Sequence, residues 1–168
     1  MIRFFFSFIT VLILLIVEFS FLHALPTPWF FIPLTFTCAL YIFQHIGSEL
    51  GLWWLAALSI FLDFWQVGLV RGEFFVYAAA AIFAVFLGRN FFTNRSLYGV
   101  VRNALFTLWF LHALHFIWLW IKNLGSETFF SWSAFGIFVF WQTLWLMILT
   151  ILLFFLSKRI RLFLNKIF

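Results

Sequence analysis

The chain has 168 residues, of which 67% are apolar and only 9% carry a formal charge. Soluble domains have roughly 45 to 50% apolar and about 25% charged residues, and a small globule exposes much of its surface to water. Five acidic and ten basic residues are too few to cover that surface, which excludes a water-soluble fold. The net charge of +5 accompanies no base-stacking or groove-reading motif, which argues against nucleic-acid binding.

Six apolar runs follow one another along the chain, separated by polar residues, prolines or glycines. Each approaches the roughly 20 residues that a helix needs to cross a bilayer. We therefore predict an all-α, polytopic membrane bundle that forms a single transmembrane domain over residues 1–168. The second span contains Pro33 and is the shortest, so we expect it to be tilted or incomplete. The predicted spans are 4–22, 29–44, 51–67, 74–92, 104–121 and 131–157.

The basic residues predict the orientation of the bundle. With the N-terminus in the cytoplasm, only Arg71 and Lys122 lie outside, and the other eight basic residues lie inside, as the positive-inside rule requires. Both termini are therefore predicted to be cytoplasmic. The basic segment 158–166 suits either an amphipathic tail on anionic lipid or a stop-transfer anchor. The eight inner residues are Arg3, Arg89, Arg95, Arg102, Lys158, Arg159, Arg161 and Lys166.

Several polar side chains lie within or beside the predicted spans, where an ionisable group costs several kcal/mol without a partner or a cavity. Counting along the helices places Glu18 and Asp63 near the outer ends of the first and third spans. His112 and His115 are three residues apart and share a face of the fifth. We expect a polar cluster in the outer half of the bundle. Its predicted members are Glu18, Asp63, Arg71, Glu73, His112, His115 and Gln142.

Three interpretations of this cluster are open: a small-ligand or ion site, a face that grips another protein, or interhelical hydrogen bonds that fix helix register. The last two are favoured. Two histidines at this spacing are weak evidence for metal, and no cofactor is expected. Ala80, Ala84 and Gly88 form a stripe of small residues on one face of the fourth helix, typical of close helix packing within the bundle or with a partner. No nucleophile, metalloprotease or phosphate-loop motif is present in the sequence, so we expect no enzymatic activity.

The stretch from residue 58 to 92 reads LSIFLDFWQVGLVRGEFFVYAAAAIFAVFLGRNFF. It resembles the MreD family of rod shape-determining membrane proteins, in which the third helix ends in an acid, a glycine-containing turn follows, and a small-residue helix closes in glycine and basic residues. Asp63, Gly68 with Gly72, Tyr77, and Gly88 with Arg89 match that pattern. The segment EFSFLHALPTPWF is also similar. Ser59 stands where a glycine is usual, and the turn lacks its common proline and is one residue longer.

This resemblance implies a multi-pass protein of the bacterial cytoplasmic membrane. Its function would be that of a non-enzymatic scaffold for cell elongation, which links the bitopic protein MreC, and through it MreB, to peptidoglycan synthases. The polar cluster and the small-residue stripe would then be candidate partner contacts.

The alternative is a substrate-binding subunit of an energy-coupling-factor transporter for a vitamin or metal, which is similar in size and number of spans. Those subunits often carry an Ala-xxx-Ala face in the first helix. Here the first helix reads FFFSFITVLILLIVEF and has no alanine, which favours the scaffold.

Overall fold

The computed structural model describes residues 2–46, 49–65, 72–123 and 131–167. Five of the helical segments in these ranges are long and apolar enough to cross a membrane. The predicted all-α, polytopic membrane bundle is thus confirmed. The first segment is α1 (Ile2–Ile16), which continues as a π turn (Val17–Phe21) and a 3₁₀ turn (Leu22–Ala24). The second consists of a 3₁₀ turn (Trp29–Phe31), α2 (Leu34–Tyr41) and a second π turn (Ile42–Ile46). The remaining segments are the helices α3 (Leu50–Trp65), α4 (Glu73–Asn90), α5 (Leu97–Asn123) and α6 (Trp132–Ile167).

The second span, expected to be the weakest, lies at the centre of the bundle. The apolar segment Trp29–Ile46 is 18 residues long and half buried. Pro33 separates its 3₁₀ turn from α2, and the Pro33 carbonyl accepts hydrogen bonds from the Thr37 amide at 3.0 Å and the Thr37 hydroxyl at 2.6 Å. Helix α2 packs against α1, α3, α5 and α6. Pro33 therefore interrupts the helix where the segment enters the core. The segment lies inside the bundle and not at its edge.

Among the described residues, α3 is the shortest of the six apolar helical segments, with 16 residues. At 1.5 Å per residue it is about 24 Å long, less than the roughly 30 Å of a hydrocarbon core. The predicted last residues of this span, 66 and 67, lie outside the described residues. Near its start, a Cβ atom on Gly51 would meet the backbone of Ala39 and Phe43. Helices α2 and α3 therefore touch backbone to backbone, which only glycine permits.

Two predicted boundaries differ from the structure by more than two residues. Helix α5 begins at Leu97 instead of residue 104, and α6 runs to Ile167 instead of 157. An apolar run marks the part of a helix that lies in hydrocarbon, whereas backbone hydrogen bonding continues into the polar interface. The Ser96 carbonyl accepts from the Val100 amide at 3.0 Å, which starts α5 before Arg102. With 36 residues, α6 is about 54 Å long.

The core lies mainly between α2, α3, α4 and α5, with Val11 and Leu15 of α1 and Leu146 of α6 packed into it, whereas the outer faces carry large exposed apolar side chains. Phe64, Phe75 and Ile82 are 75%, 74% and 72% exposed, as suits side chains in contact with lipid. Ala80 and Ala84 are fully buried. The predicted small-residue stripe of α4 therefore faces other helices of the same chain. The core residues include Phe36, Leu40, Leu55, Leu58, Val76, Ala80, Ala84, Ala104, Leu108 and Leu111.

Candidate functional site: a polar cavity at one end of the bundle

A cavity of about 230 Å³ lies where the first segment ends, α4 begins and α5 approaches its end. We call this side of the bundle the cavity end. It is the side that the distribution of basic residues predicts to be outer. The polar side chains that line the cavity are Glu18, His23, Glu73, Tyr77, His115 and Gln142. The aromatic ones are Phe19, Phe30, Phe36 and Phe138.

Glu18 belongs to the first π turn and is only 6% exposed. Its Oε2 accepts a hydrogen bond of 2.7 Å from the backbone N–H of Thr35. Thr35 lies in the first turn of α2, where amide groups have no acceptor within their own helix. Glu18 thus caps α2 from a different segment and holds a carboxylate at the cavity wall.

Glu73, the first residue of α4, is paired with His115 of α5. His115 Nε2 lies 2.6 Å from Glu73 Oε2, and both side chains are largely buried. Because a carboxylate accepts, Nε2 is the donor, and the contact is an ion pair when the ring is protonated. The His115 ring also lies edge-on to Tyr77, with centroids 6.0 Å apart. This pair joins two helices across the cavity and gives one of its two acids a basic partner.

His23, Tyr77 and Gln142 complete the polar lining. His23 Nδ1 donates to the Glu18 carbonyl at 2.8 Å, and its ring stacks on Phe19 with centroids 4.8 Å apart. The Tyr77 hydroxyl and the Gln142 amide make no hydrogen bond to any part of the chain that the structure describes. The cavity therefore offers two acidic side chains and further hydrogen-bonding groups between aromatic walls.

Asp63, expected in the same cluster, does not line the cavity. Its carboxylate accepts hydrogen bonds from the backbone N–H groups of Gly72, Glu73 and Phe74, at 3.0, 2.9 and 3.1 Å. These amides open α4, and an acid at a helix N-terminus satisfies unpaired donors and complements the helix dipole. The acid that the sequence offers as a site residue is thus a helix cap.

His112 also lies outside the cavity lining, although it shares a helix face with His115. It is 4% exposed and lies edge-on to Phe138 and Phe135 of α6, with ring centroids 5.4 and 6.3 Å away. Neither ring nitrogen has a hydrogen-bond partner among the described residues. His112 lies about one helical turn before His115, and this separation places it in the contact between α5 and α6 and not at the cavity. Arg71, the remaining predicted member, lies outside the described residues.

A second polar cluster, which the sequence analysis missed, lies at the opposite side of the bundle. Asn103 Nδ2 donates to Gln44 Oε1 at 2.8 Å, and Gln44 Nε2 donates to the Phe92 carbonyl. The Thr107 hydroxyl lies 3.5 Å from Asn103 Oδ1. We call Gln44, Asn103 and Thr107 the buried network, and this side the network end. A Cβ on Gly88 would lie 2.6 Å from Gln44 Oε1, so the glycine of the small-residue stripe makes room for the network.

Both residues that form the 2.8 Å bond stand near the ends of apolar runs, where a polar side chain ordinarily indicates the membrane interface. Only the tertiary packing shows that they face each other.

No family model, curated protein or solved structure matches the chain. The described residues also contain no group of three histidine, cysteine, aspartate or glutamate side chains that could hold a metal ion.

Proposed function

We propose that this multi-pass membrane protein is a non-enzymatic scaffold of the bacterial cell-elongation machinery, similar to MreD. In this role it resides in the cytoplasmic membrane and binds an MreC-like bitopic protein. Through that partner it connects MreB filaments to peptidoglycan synthases.

The main support comes from the contacts within the described part of the MreD-like stretch. Asp63 at the end of α3 caps the start of α4 through three backbone hydrogen bonds. Gly72, between them, has a φ of 125°, and a Cβ there would lie 2.7 Å from the Trp118 ring. The acid, the turn glycine and the small-residue helix therefore depend on one another. A pattern of interdependent residues is a better basis for a resemblance than separate apolar matches.

The cross-links at the cavity end also suit a scaffold. The bond from Thr35 to Glu18 joins the first segment to α2, and the bond between His115 and Glu73 joins α4 to α5. Hydrogen bonds between helices fix their register in a bilayer, where hydrophobic burial contributes little to helix association. These two bonds fix two pairs of neighbouring segments at the face predicted to lie outside, where the periplasmic part of a bitopic partner would dock.

Depletion of the protein in its native rod-shaped host tests this proposal. We expect the cells to become round and the wall-synthesis machinery to disperse, and we expect a bitopic coiled-coil protein to co-purify with the tagged chain. Re-expression of the wild type should restore rods. Rods that persist after complete depletion would contradict the scaffold role.

The cavity favours a second candidate, the substrate-binding subunit of an uptake transporter. A partly enclosed, mixed polar and aromatic cavity is the usual form of a small-molecule site. On this hypothesis the purified protein retains a small molecule, associates with an energising ATPase complex, and leaves cell shape unaffected when depleted. Gene order separates the two candidates at once: an MreC-type gene directly upstream supports the scaffold, and transporter ATPase genes support the subunit.

A further inference from the structure

We propose that the cavity binds a small organic cation, whose ammonium group pairs with Glu18 and whose apolar body lies between the aromatic walls. The proposal depends on the cavity alone. It applies to a scaffold that senses a ligand as well as to a transporter subunit. A negative result in the cell-shape test leaves the binding test open, and a negative result in the binding test leaves the cell-shape test open.

The first argument is the charge of the lining. Two buried acids face the same cavity, and each is 6% exposed. Glu73 has His115 as a basic partner at 2.6 Å. Glu18 makes no ion pair within the described ranges: the nearby His23 ring bonds to its backbone carbonyl, and the carboxylate accepts from the neutral amide of Thr35. Since a charged carboxylate is costly to bury without a counter-charge, a ligand that supplies one positive charge complements the cavity.

The second argument is the set of polar groups that face the space without a protein partner. Tyr77 and Gln142 line the cavity and make no hydrogen bond to any described residue. Groups that serve only to fix helix register are hydrogen-bonded to each other, as Gln44 and Asn103 are. A phenol and an amide offer acceptors for the remaining N–H groups of an ammonium ion.

The third argument is the size and the walls of the cavity. A cavity of about 150 Å³ holds a benzene molecule, so 230 Å³ accommodates one ring with a short aminoalkyl chain. Phe19, Phe30 and Phe138 line the cavity, and the faces of phenylalanine rings attract cations as well as apolar groups. An organic cation fits this lining better than a metal ion, because the described residues lack a cluster of three ligating side chains.

Isothermal titration calorimetry on the full chain in lipid nanodiscs tests the proposal, with benzylamine and its neutral counterpart benzyl alcohol as probes. We expect benzylamine to bind saturably and at least about tenfold more tightly than benzyl alcohol, because hydrogen bonds to charged groups are worth that factor or more. Equal affinities, or the absence of saturable benzylamine binding, would overturn the proposal. This comparison needs only the wild-type protein, so it stands even where a variant fails to fold.

Two matched variants identify the group that binds the cation. Glu18→Gln removes the charge and keeps the shape, and it should weaken benzylamine binding by about tenfold or more while leaving benzyl alcohol unaffected. Glu49→Gln is the same chemical change at an exposed position before α3, and it should leave both affinities unchanged. Equal benzylamine affinity in Glu18→Gln and in the wild type would sink the assignment.

Discussion

The two ends of the bundle hold polar clusters that differ in charge and in how their groups are paired. At the network end, the neutral side chains of Gln44 and Asn103 bond to each other at 2.8 Å. At the cavity end, Glu18, Tyr77 and Gln142 surround about 230 Å³ and leave hydrogen-bonding capacity facing it. The residue type of a polar side chain inside a membrane bundle therefore does not by itself indicate a functional site. What separates a structural cluster from a candidate site is whether its groups have partners within the protein.

Removing one amide from each cluster is the strongest test of this comparison. Asn103→Leu takes the donor from buried Gln44 Oε1, so we expect a loss of about 1 to 2 kcal/mol in the free energy of unfolding. Gln142→Leu makes the same exchange in the cavity, where the amide has no partner among the described residues. We expect it to change stability by less than about 0.5 kcal/mol.

Unfolding titrations of both variants in mixed micelles give these values. A larger loss for Gln142→Leu than for Asn103→Leu would show that the cavity end, and not the network end, holds the bundle together.

Replacement of Asp63 tests whether this acid is a cap, as its geometry indicates, or part of the site. Asp63→Ala removes all three hydrogen bonds to the start of α4, and we expect a loss of about 1 kcal/mol. Asp63→Asn can retain an acceptor for Gly72 and Glu73 but not for Phe74, so its loss should be smaller.

Thermal unfolding gives the order of the two variants, and calorimetry with benzylamine gives their cation affinity, which we expect to be that of the wild type. If Asp63→Asn unfolds normally but loses co-purification of its bitopic partner, the acid belongs to a docking surface and its capping role is secondary.

The smallest expected effect comes from the two glycines. In Gly88→Ala the new methyl group meets Gln44 Oε1, the Phe43 ring and Asn103 Nδ2, at 2.6, 3.3 and 3.4 Å. The steric cost exceeds the helix preference of alanine, for a net loss of at most about 1 kcal/mol. Gly136→Ala is the matched control, because nothing lies within 4 Å of the added atom. It should stabilise α6 by about 0.5 kcal/mol, and equal thermal shifts for the two variants would contradict this account.

The sequence predicted which polar residues lie together better than the direction in which each side chain points. It grouped Glu18, Glu73, His115 and Gln142 in one cluster, and all four line the cavity. Depth follows from a rise of 1.5 Å per residue, whereas the direction of a side chain depends on which helices are neighbours. His112 illustrates this limit. It lies on the same helix as His115 and three residues before it, as the prediction required, but its ring packs against Phe138 of α6.

Two lining residues, His23 and Tyr77, were not predicted, because their local sequence does not mark them as part of a site. His23 lies beyond the first predicted span, in a 3₁₀ turn that periodicity does not reveal. Tyr77 lies one turn after Glu73 in α4, and its sequence context resembles an ordinary apolar helix. The buried network was missed for the same reason, because Gln44 and Asn103 become a pair only when the π turn and α5 pack together.

The two π turns have a consequence for how this chain can change over time. Glu18 and Gln44, one from each polar cluster, both lie in a turn whose hydrogen bonds reach one residue farther than those of an α-helix. An extra residue in an α-helix rotates everything beyond it by about 100°, and a π turn confines that insertion to a single turn. The polar residue can therefore be aimed at its partner while the apolar residues before it keep their own register. In this molecule the direction of the polar side chain is therefore separate from the register of the lipid-facing residues. A substitution that changes one need not change the other.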